Sequence, residues 1–368
     1  MQLKIHPGAI RAMKRMAYLL YVFFVTLIAL EIILHFYNPF HFRIKGNHLL
    51  LPVNERLVIR NTINPHLDSV IINNRNSLGF RGPEKPEAFH RFLSVVAVGG
   101  STTECHFLSD NRTWPWLMGE RLRPAFPDIW VNNAGFDGQS SFGHGVLLND
   151  YLVKLRPRVI LFLTGINEVE NDQPTFHDKL NSRGAYSDFK HFIFTNSEAL
   201  NLVLNVVRGR KAQQLNNTTN ELLDLRKGEA FVMTAGQIAE RKQQQAKYLA
   251  GYRARLNALI DTCGLYGISP VFITQPCLFG EGRDSLTGVN LETFKLKDGF
   301  NGKGLWEVLT LYNDALKEVC SLKKVPVIDL AGQVPKNSLY FYDASHFTNE
   351  GADKVAGIVA EGFKRIFL

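Results

Sequence analysis

The chain has 368 residues, 45% of them hydrophobic and 21% charged, enough for one large or two modest domains with a substantial core. Its formal charge of +8 sits mostly at the start: Lys4, Arg11, Lys14, Arg15, Arg43 and Lys45 against Glu31 give +5 in the first 45 residues and leave +3 for the other 323. A near-balanced body with no basic run interleaved with aromatics argues against a nucleic-acid reader.

The basic start precedes an apolar stretch. Met16–Leu34 is apolar apart from Thr26, Glu31 and the tyrosines, close to the length that crosses a bilayer. No small-x-small cleavage site follows, since the chain continues Glu31-Ile-Ile-Leu-His-Phe-Tyr. The pattern predicts an uncleaved transmembrane anchor over residues 16–37, with residues 1–15 cytoplasmic and the body on the periplasmic side of a cell inner membrane. Arg43 and Lys45 on the far side weaken that charge asymmetry, and Glu31 is expected to snorkel to the outer interface.

Residues 38–90 read as a membrane-proximal lead-in rather than a separate core, with turn signals at Asn64-Pro65, Asn73-Asn74 and Gly82-Pro83. Within it, Asn76-Ser-Leu-Gly-Phe-Arg-Gly82 resembles the lead-in segment of many membrane-tethered serine hydrolases.

From Phe92 onward, short Val/Ile-rich runs alternate with helix-length segments, which predicts an α/β fold with a parallel sheet covered on both faces. The expected strands are Phe92–Val98, Ile129–Asn132, Val159–Leu163, Ser269–Thr274 and Val325–Asp329. The expected helices are Trp114–Leu122, Phe142–Leu155, Ile238–Cys263, Leu305–Leu322 and Asn349–Phe367. The catalytic domain is expected over 91–368, with cap inserts at about 168–237 and 279–304 on the ligand-binding edge of the sheet. The lesser reading for the polar tract of the first insert is a disordered excursion.

Cys105, Cys263, Cys277 and Cys320 show no CxxC and no zinc spacing, so no metal or other cofactor is implied. In an exported body Cys263 with Cys320 is the pair to examine, each ending a helical pattern just before a strand; four isolated thiols fit as well.

The stretch that organises the chain is Phe92–Glu104, FLSVVAVGGSTTE. An apolar strand stops at two glycines, which lets the backbone turn tightly and leaves Ser101 on a strand-to-helix corner. There its hydroxyl is either a nucleophile or an N-cap of the helix that follows.

Three more strand ends carry polar residues. The second runs into Asn133-Ala-Gly-Phe-Asp-Gly138, the third into Thr164-Gly-Ile-Asn-Glu168, and the loop of the fifth carries Tyr342-Asp-Ala-Ser-His-Phe-Thr-Asn-Glu-Gly351. Taken singly, Gly138 is a turn glycine, Asn167 and Asp343 are caps, and His346 is a surface histidine. Together they meet the needs of acyl transfer. His346 takes the proton of Ser101 while Asp343, three residues away, holds the other ring nitrogen. The backbone amides of Ser101 and Gly138 and the Asn167 side chain supply three oxyanion donors.

These blocks resemble the SGNH (GDSL-type) hydrolase and acyltransferase superfamily over about Phe92 to the C-terminus. Its serine block matches Gly99–Thr102, its glycine block Asn133–Gly138, its asparagine block Gly165–Asn167, and its Asp-x-x-His block Asp343–His346. The resemblance implies a three-layer α/β/α sandwich on five parallel strands, with Ser101, Gly138 and Asn167 as the oxyanion site and Ser101, Asp343 and His346 as the triad. The sequence departs from the family pattern at Gly100, where many members carry Asp, and at Glu168, where Asp is common; this leaves the chemistry standing and the substrate open. Glu104 reads as a first-turn dipole residue and Cys105 as a core thiol.

The function expected is a membrane-tethered serine esterase acting on O-acyl, foremost O-acetyl, esters of envelope carbohydrate, or a transferase moving that acyl group to a glycan. A lipid or thioester hydrolase is the alternative enzyme. A glycan-binding scaffold is the alternative from another class, against which the joint presence of all five site residues speaks.

Overall fold

The computed structural model describes residues 7–37, 44–45, 48–49, 51–62, 64–175, 178, 197–200, 202–203, 223–296 and 299–368. Two compact units are formed, Met1–Leu50 with Asn181–Asn217, and Leu51–Leu180 with Thr218–Leu368.

The first unit is built on helix α1, Pro7–Phe36. Its Met13–Phe36 segment is long and apolar enough, by length and composition, to cross a membrane, and side chains such as Leu19, Phe24, Ile28 and Ile33 are exposed along it. Glu31 is engaged within this unit. Its carboxylate accepts from Ser197 Oγ at 2.9 Å and from the backbone N–H groups of Glu198 and Ala199 at 2.5 and 3.1 Å. Those are the otherwise unsatisfied donors of a helical start. The first insert expected at 168–237 lies largely outside the described residues.

The second unit holds a five-stranded parallel sheet: β1 Leu93–Gly99, β2 Ile129–Asn133, β3 Val159–Thr164, β4 Ser269–Thr274 and β5 Val327–Ile328, in the order β2-β1-β3-β4-β5. Ala97 of β1 pairs with Asn133 on one side and Leu161 on the other. With β1 between β2 and β3, the order reverses beside the strand that carries Ser101, the position where open α/β sheets bind ligands. An antiparallel hairpin, Arg56–Arg60 with Val70–Asn74, precedes the sheet in the same unit.

Both faces of the sheet are covered, which is why its strands read as continuous apolar runs. Val95, Ala97, Leu161, Leu163, Val271 and Ile273 share one core with Trp114, Met118 and Leu122 of helix α3 (Trp114–Leu122; α2 is the short Ser101–Glu104) and with Val355, Val359 and Phe363 of the C-terminal helix Asn349–Phe367. The alternate residues Val96, Val98, Ile160, Phe162 and Phe272 are buried on the opposite face, where the Phe162 and Phe272 rings stack at 5.0 Å. Each such side chain contributes roughly 1.5–3 kcal/mol by leaving water.

Most helices fall where the apolar period places them, with physical reasons for the exceptions. The segment expected as one helix over Ile238–Cys263 is two, α5 Ala235–Gln244 and α6 Ala246–Leu265 (α4 being Ser141–Leu147). The junction residue Gln245 is buried and takes the Tyr312 hydroxyl at 2.9 Å, and α5 starts on a Thr234/Gln237 capping box. The segment expected over Phe142–Leu155 runs as α4 through a wider π turn at Leu148–Leu152, then one short turn at Val153–Leu155. Helix α7, Gly302–Lys323, starts three residues before the expected Leu305, with Asn301 capping Gly304 N–H at 2.8 Å.

The second insert is part of the core. Phe279, Leu291 and Phe294 are buried in it, with the rings of Phe279 and Phe294 stacked at 5.2 Å. It also supports the loop after β5: Leu278 N–H donates to Ala344 O at 2.9 Å, and Asp284 accepts from Ser338 N–H and Oγ at 2.6 and 2.9 Å.

Candidate active site

The turn after β1 is shaped by two glycines that have no room for a side chain. A Cβ on Gly99 would lie 2.2 Å from Thr103 Oγ1 and 2.8 Å from Leu163 O; one on Gly100 would lie 2.5 Å from Asn167 Nδ2 and 2.9 Å from Gln139 O. A side chain at position 100 would meet both the Asn167 amide and the Gln139 carbonyl. Gly100 stands at the cap position of α2, and the Ser101 hydroxyl is turned to another partner.

That partner is His346. Its Nε2 lies 2.6 Å from Ser101 Oγ and its Nδ1 lies 2.6 Å from Asp343 Oδ2. The other Asp343 oxygen accepts the backbone N–H groups of Ser345 and His346 at 2.9 and 2.8 Å, so the carboxylate is fixed before it orients the ring. The Tyr342 ring lies parallel to the imidazole, centroids 5.5 Å apart, with Phe107 edge-on to Tyr342. Burial pulls the His346 pKa down, but the charge of Asp343 and the hydrogen bond to it outweigh this, and the value stands above that of an ordinary histidine. Burial pushes Asp343 up, and His346 with the two backbone donors carries it below the usual carboxylate range.

This is the arrangement in which an imidazole removes a serine proton while a carboxylate fixes its tautomer. It lies at the carboxyl edge of the sheet, Ser101 just past β1 and the Asp343–His346 loop past β5. Two further sequence-selected residues come to the same edge. Gly138 has φ +68, which only glycine adopts without strain. Asn167 Nδ2 donates to Gln139 O at 2.8 Å, which ties the asparagine block to the residue after Gly138. An amide nitrogen carries two N–H groups, so one remains for a ligand.

Glu104 is a buried ion-pair partner instead of a dipole residue, with Arg75 Nη2 2.5 Å from its Oε1. Glu168 is also buried. It takes Arg255 at 2.9 Å, Ser141 N–H and Oγ at 2.5 and 2.8 Å, and Thr164 Oγ1 at 3.1 Å, so its added methylene reaches a structural network. All four cysteines are separate buried thiols, and Cys263 and Cys320 form no bridge. Burial pushes the thiols of Cys105, Cys263 and Cys320 up to about 12, which removes thiolate chemistry. Among the described residues no group of three or more His, Cys, Asp or Glu side chains is placed to hold a metal ion.

Sequence reasoning missed Arg75, the working part of Arg81, Tyr342 against His346, and Asp284 under Ser338. Arg75 and Arg81 read as surface charges in a loop, and no periodicity marks a buried arginine. Two had a weak signal: Arg81 lies inside the segment that resembles a hydrolase lead-in, and Tyr342 adjoins Asp343.

No family model matches the sequence, and no curated protein matches it. Solved structures do. An α/β hydrolase from the metagenome of Lake Arreo, Spain, is 12% identical with a TM-score of 0.43, over 74% of this chain and 95% of its own. An acetylxylan esterase from Geobacillus stearothermophilus is 12% identical with a TM-score of 0.42, over 74% and 92%. A putative lipolytic protein of the G-D-S-L family from Desulfitobacterium hafniense is 11% identical with a TM-score of 0.40, over 73% and 99%. Likeness at that level does not decide function, and the side-chain geometry has to carry it.

Proposed function

We propose that this protein is a membrane-tethered serine ester hydrolase of SGNH type, acting on O-acyl, foremost O-acetyl, esters of envelope carbohydrate or passing the acyl group to a glycan hydroxyl. The observation that carries the chemistry is the line Ser101 Oγ, His346 Nε2, His346 Nδ1, Asp343 Oδ2, with 2.6 Å at each hydrogen bond. The tether rests on the apolar Met13–Phe36 helix, which is long enough to cross a bilayer.

In this reading His346 takes the Ser101 proton as Oγ attacks the ester carbonyl. The backbone N–H groups of Ser101 and Gly138 and the second N–H of Asn167 receive the oxyanion. Collapse expels the carbohydrate alcohol, which takes its proton from His346. Water or a sugar hydroxyl then gives up a proton to His346 as its oxygen attacks the acyl carbonyl, and collapse breaks the bond to Ser101 Oγ, which takes that proton back from His346.

The test is a fluorophosphonate probe on the full-length protein in detergent, followed by product analysis on acetylated oligosaccharide with and without a sugar acceptor. Labelling lost in Ser101→Ala, with acetate or acetylated acceptor as product, supports the proposal. Labelling retained in Ser101→Ala places the nucleophile elsewhere. Turnover only of long-chain acyl or thioesters overturns the carbohydrate assignment.

A further inference from the structure

The lead-in that precedes the sheet supplies two buried arginines, and both reach the same place. Arg81 is 2% exposed and makes four side-chain hydrogen bonds. Nη1 donates to Glu104 O at 2.6 Å and Cys105 O at 2.8 Å, Nη2 to Leu108 O at 2.7 Å, and Nε to Asp110 Oδ1 at 2.9 Å, the same carboxylate oxygen lying 2.8 Å from Nη2 as an ion pair. Glu104 and Cys105 end the four-residue helix that begins with Ser101, and Cys105 is held at φ +53, outside the range a non-glycine residue prefers. Their carbonyls would otherwise be unsatisfied helix-end acceptors.

The Arg81 backbone faces the glycine block. Its N–H donates to Asn133 O at 2.9 Å and its carbonyl accepts Asn133 N–H at 2.8 Å, while Asn133 Nδ2 reaches Thr103 O at 2.6 Å. Arg75 makes the same span from the other side, from Glu104 to Gly135 O at 3.5 Å and over the Phe136 ring at 4.6 Å. The two blocks meet backbone to backbone, since a Cβ on Gly135 would lie 2.3 Å from Glu104 N. One of these blocks carries the Ser101 amide and the other the Gly138 amide.

We propose that Arg75 and Arg81 are positioning residues that clamp the serine block to the glycine block and so set the spacing of two oxyanion donors, making the lead-in part of the active site. This rests on the ester-hydrolysis reading for its kinetic consequence and on geometry alone for the clamp itself.

Removing a buried charge's partners is severe, so Arg81→Ala risks failing to fold. Arg81→Lys keeps the charge and loses the planar fork that reaches three carbonyls and Asp110, and Arg75→Lys is the second variant. Hydrogen exchange on the full-length protein reads the clamp without turnover. Faster exchange in peptides covering 99–110 and 133–139, with β4 and α7 peptides unchanged, is expected; unchanged exchange in the two blocks, or a uniform rise across the sheet, overturns the clamp. A wild type that hydrolyses no ester refutes the proposed function and leaves the clamp decided by exchange. In an active protein, kcat should fall about tenfold or more with KM within about twofold. Asn167→Ala should then cost less in the Arg81→Lys background than in wild type, because both act on one site. Unchanged kcat, or fully additive losses, overturns the oxyanion role.

Discussion

Asp343 holds His346 twice, through Oδ2 to the ring Nδ1 at 2.6 Å and through Oδ1 to the backbone N–H at 2.8 Å. The three-residue separation makes both contacts possible in one turn, so tautomer and ring position come from the same carboxylate. Asp343→Asn keeps the shape and reverses the preferred tautomer. Its kcat should fall roughly a thousandfold or more, leaving more residual activity than Ser101→Ala or His346→Ala.

The pH dependence follows from the same pair. The base must be neutral, and Asp343 holds the His346 pKa above the ordinary value against the opposing effect of burial. The rate should therefore fall as pH drops through a value above about 6.5. In Asp343→Asn the raising charge is gone and burial remains, so the acid limb should move to lower pH. A kcat/KM profile on p-nitrophenyl acetate checks this; a limb that stays in place would refute the assignment of His346 as base.

Gly100→Ala puts a methyl group 2.5 Å from Asn167 Nδ2 on a backbone that tolerates alanine, with φ −79. The Asn167 amide and the Gln139 carbonyl, 2.9 Å from the added methyl, both have to give way. The expected result is a stability loss of about 1–3 kcal/mol from overpacking, with kcat reduced at least about tenfold through the displaced amide. Thermal melts and steady-state kinetics read the two effects separately, and a fully active Gly100→Ala would show that Asn167 need not sit where it does.

His144 is a buried histidine that the proposed chemistry does not use. Burial takes its pKa down to about 4, against a partial opposing pull from Asp178. The unfolded chain protonates it near 6.5, so between the two values the unfolded state binds more protons and stability falls as pH falls. The loss should reach a few kcal/mol by pH 4 at about 1.4 kcal/mol per pKa unit. His144→Leu should remove this slope whatever its constant cost. Denaturant melts across pH 4–7 compare the slopes, and equal slopes would reject the effect.

The parts of this fold that a one-dimensional pattern encodes were legible. β1 to β4 lie within two residues of the apolar runs because strands buried on both faces admit little else. That Ser101, Asp343 and His346 meet was legible from a serine at the end of an apolar run and from an Asp-x-x-His spacing in a later loop, both of which the structure brings to one edge of the sheet. The fifth strand shrank to Val327–Ile328 at the sheet edge, where fewer ladder bonds hold it. The arginine clamp was opaque for a different reason. Whether Arg81 is solvated or holds three carbonyls depends on residues more than twenty positions away, and sequence carries no signature of where those will be.

Asn167 separates catalysis from binding with one substitution. Its Nδ2 donates to Gln139 O at 2.8 Å, and Gly100 gives it space, which leaves its second N–H for a ligand. If that N–H meets charge that exists mainly in the transition state, Asn167→Ala should cost roughly a hundredfold in kcat, on the order of 3 kcal/mol, with KM little changed. Asn167→Asp controls for packing: it is nearly isosteric, replaces the donor by an acceptor, and should be at least as impaired. A site that only bound glycan would show the reverse, a change in affinity with no turnover to lose. The measurement is kcat and KM on p-nitrophenyl acetate for wild type, Asn167→Ala and Asn167→Asp, with melting curves to confirm the fold. An Asn167→Ala protein that is folded and keeps wild-type kcat would remove Asn167 from the oxyanion site and leave the Ser101 and Gly138 amides to hold the charge alone.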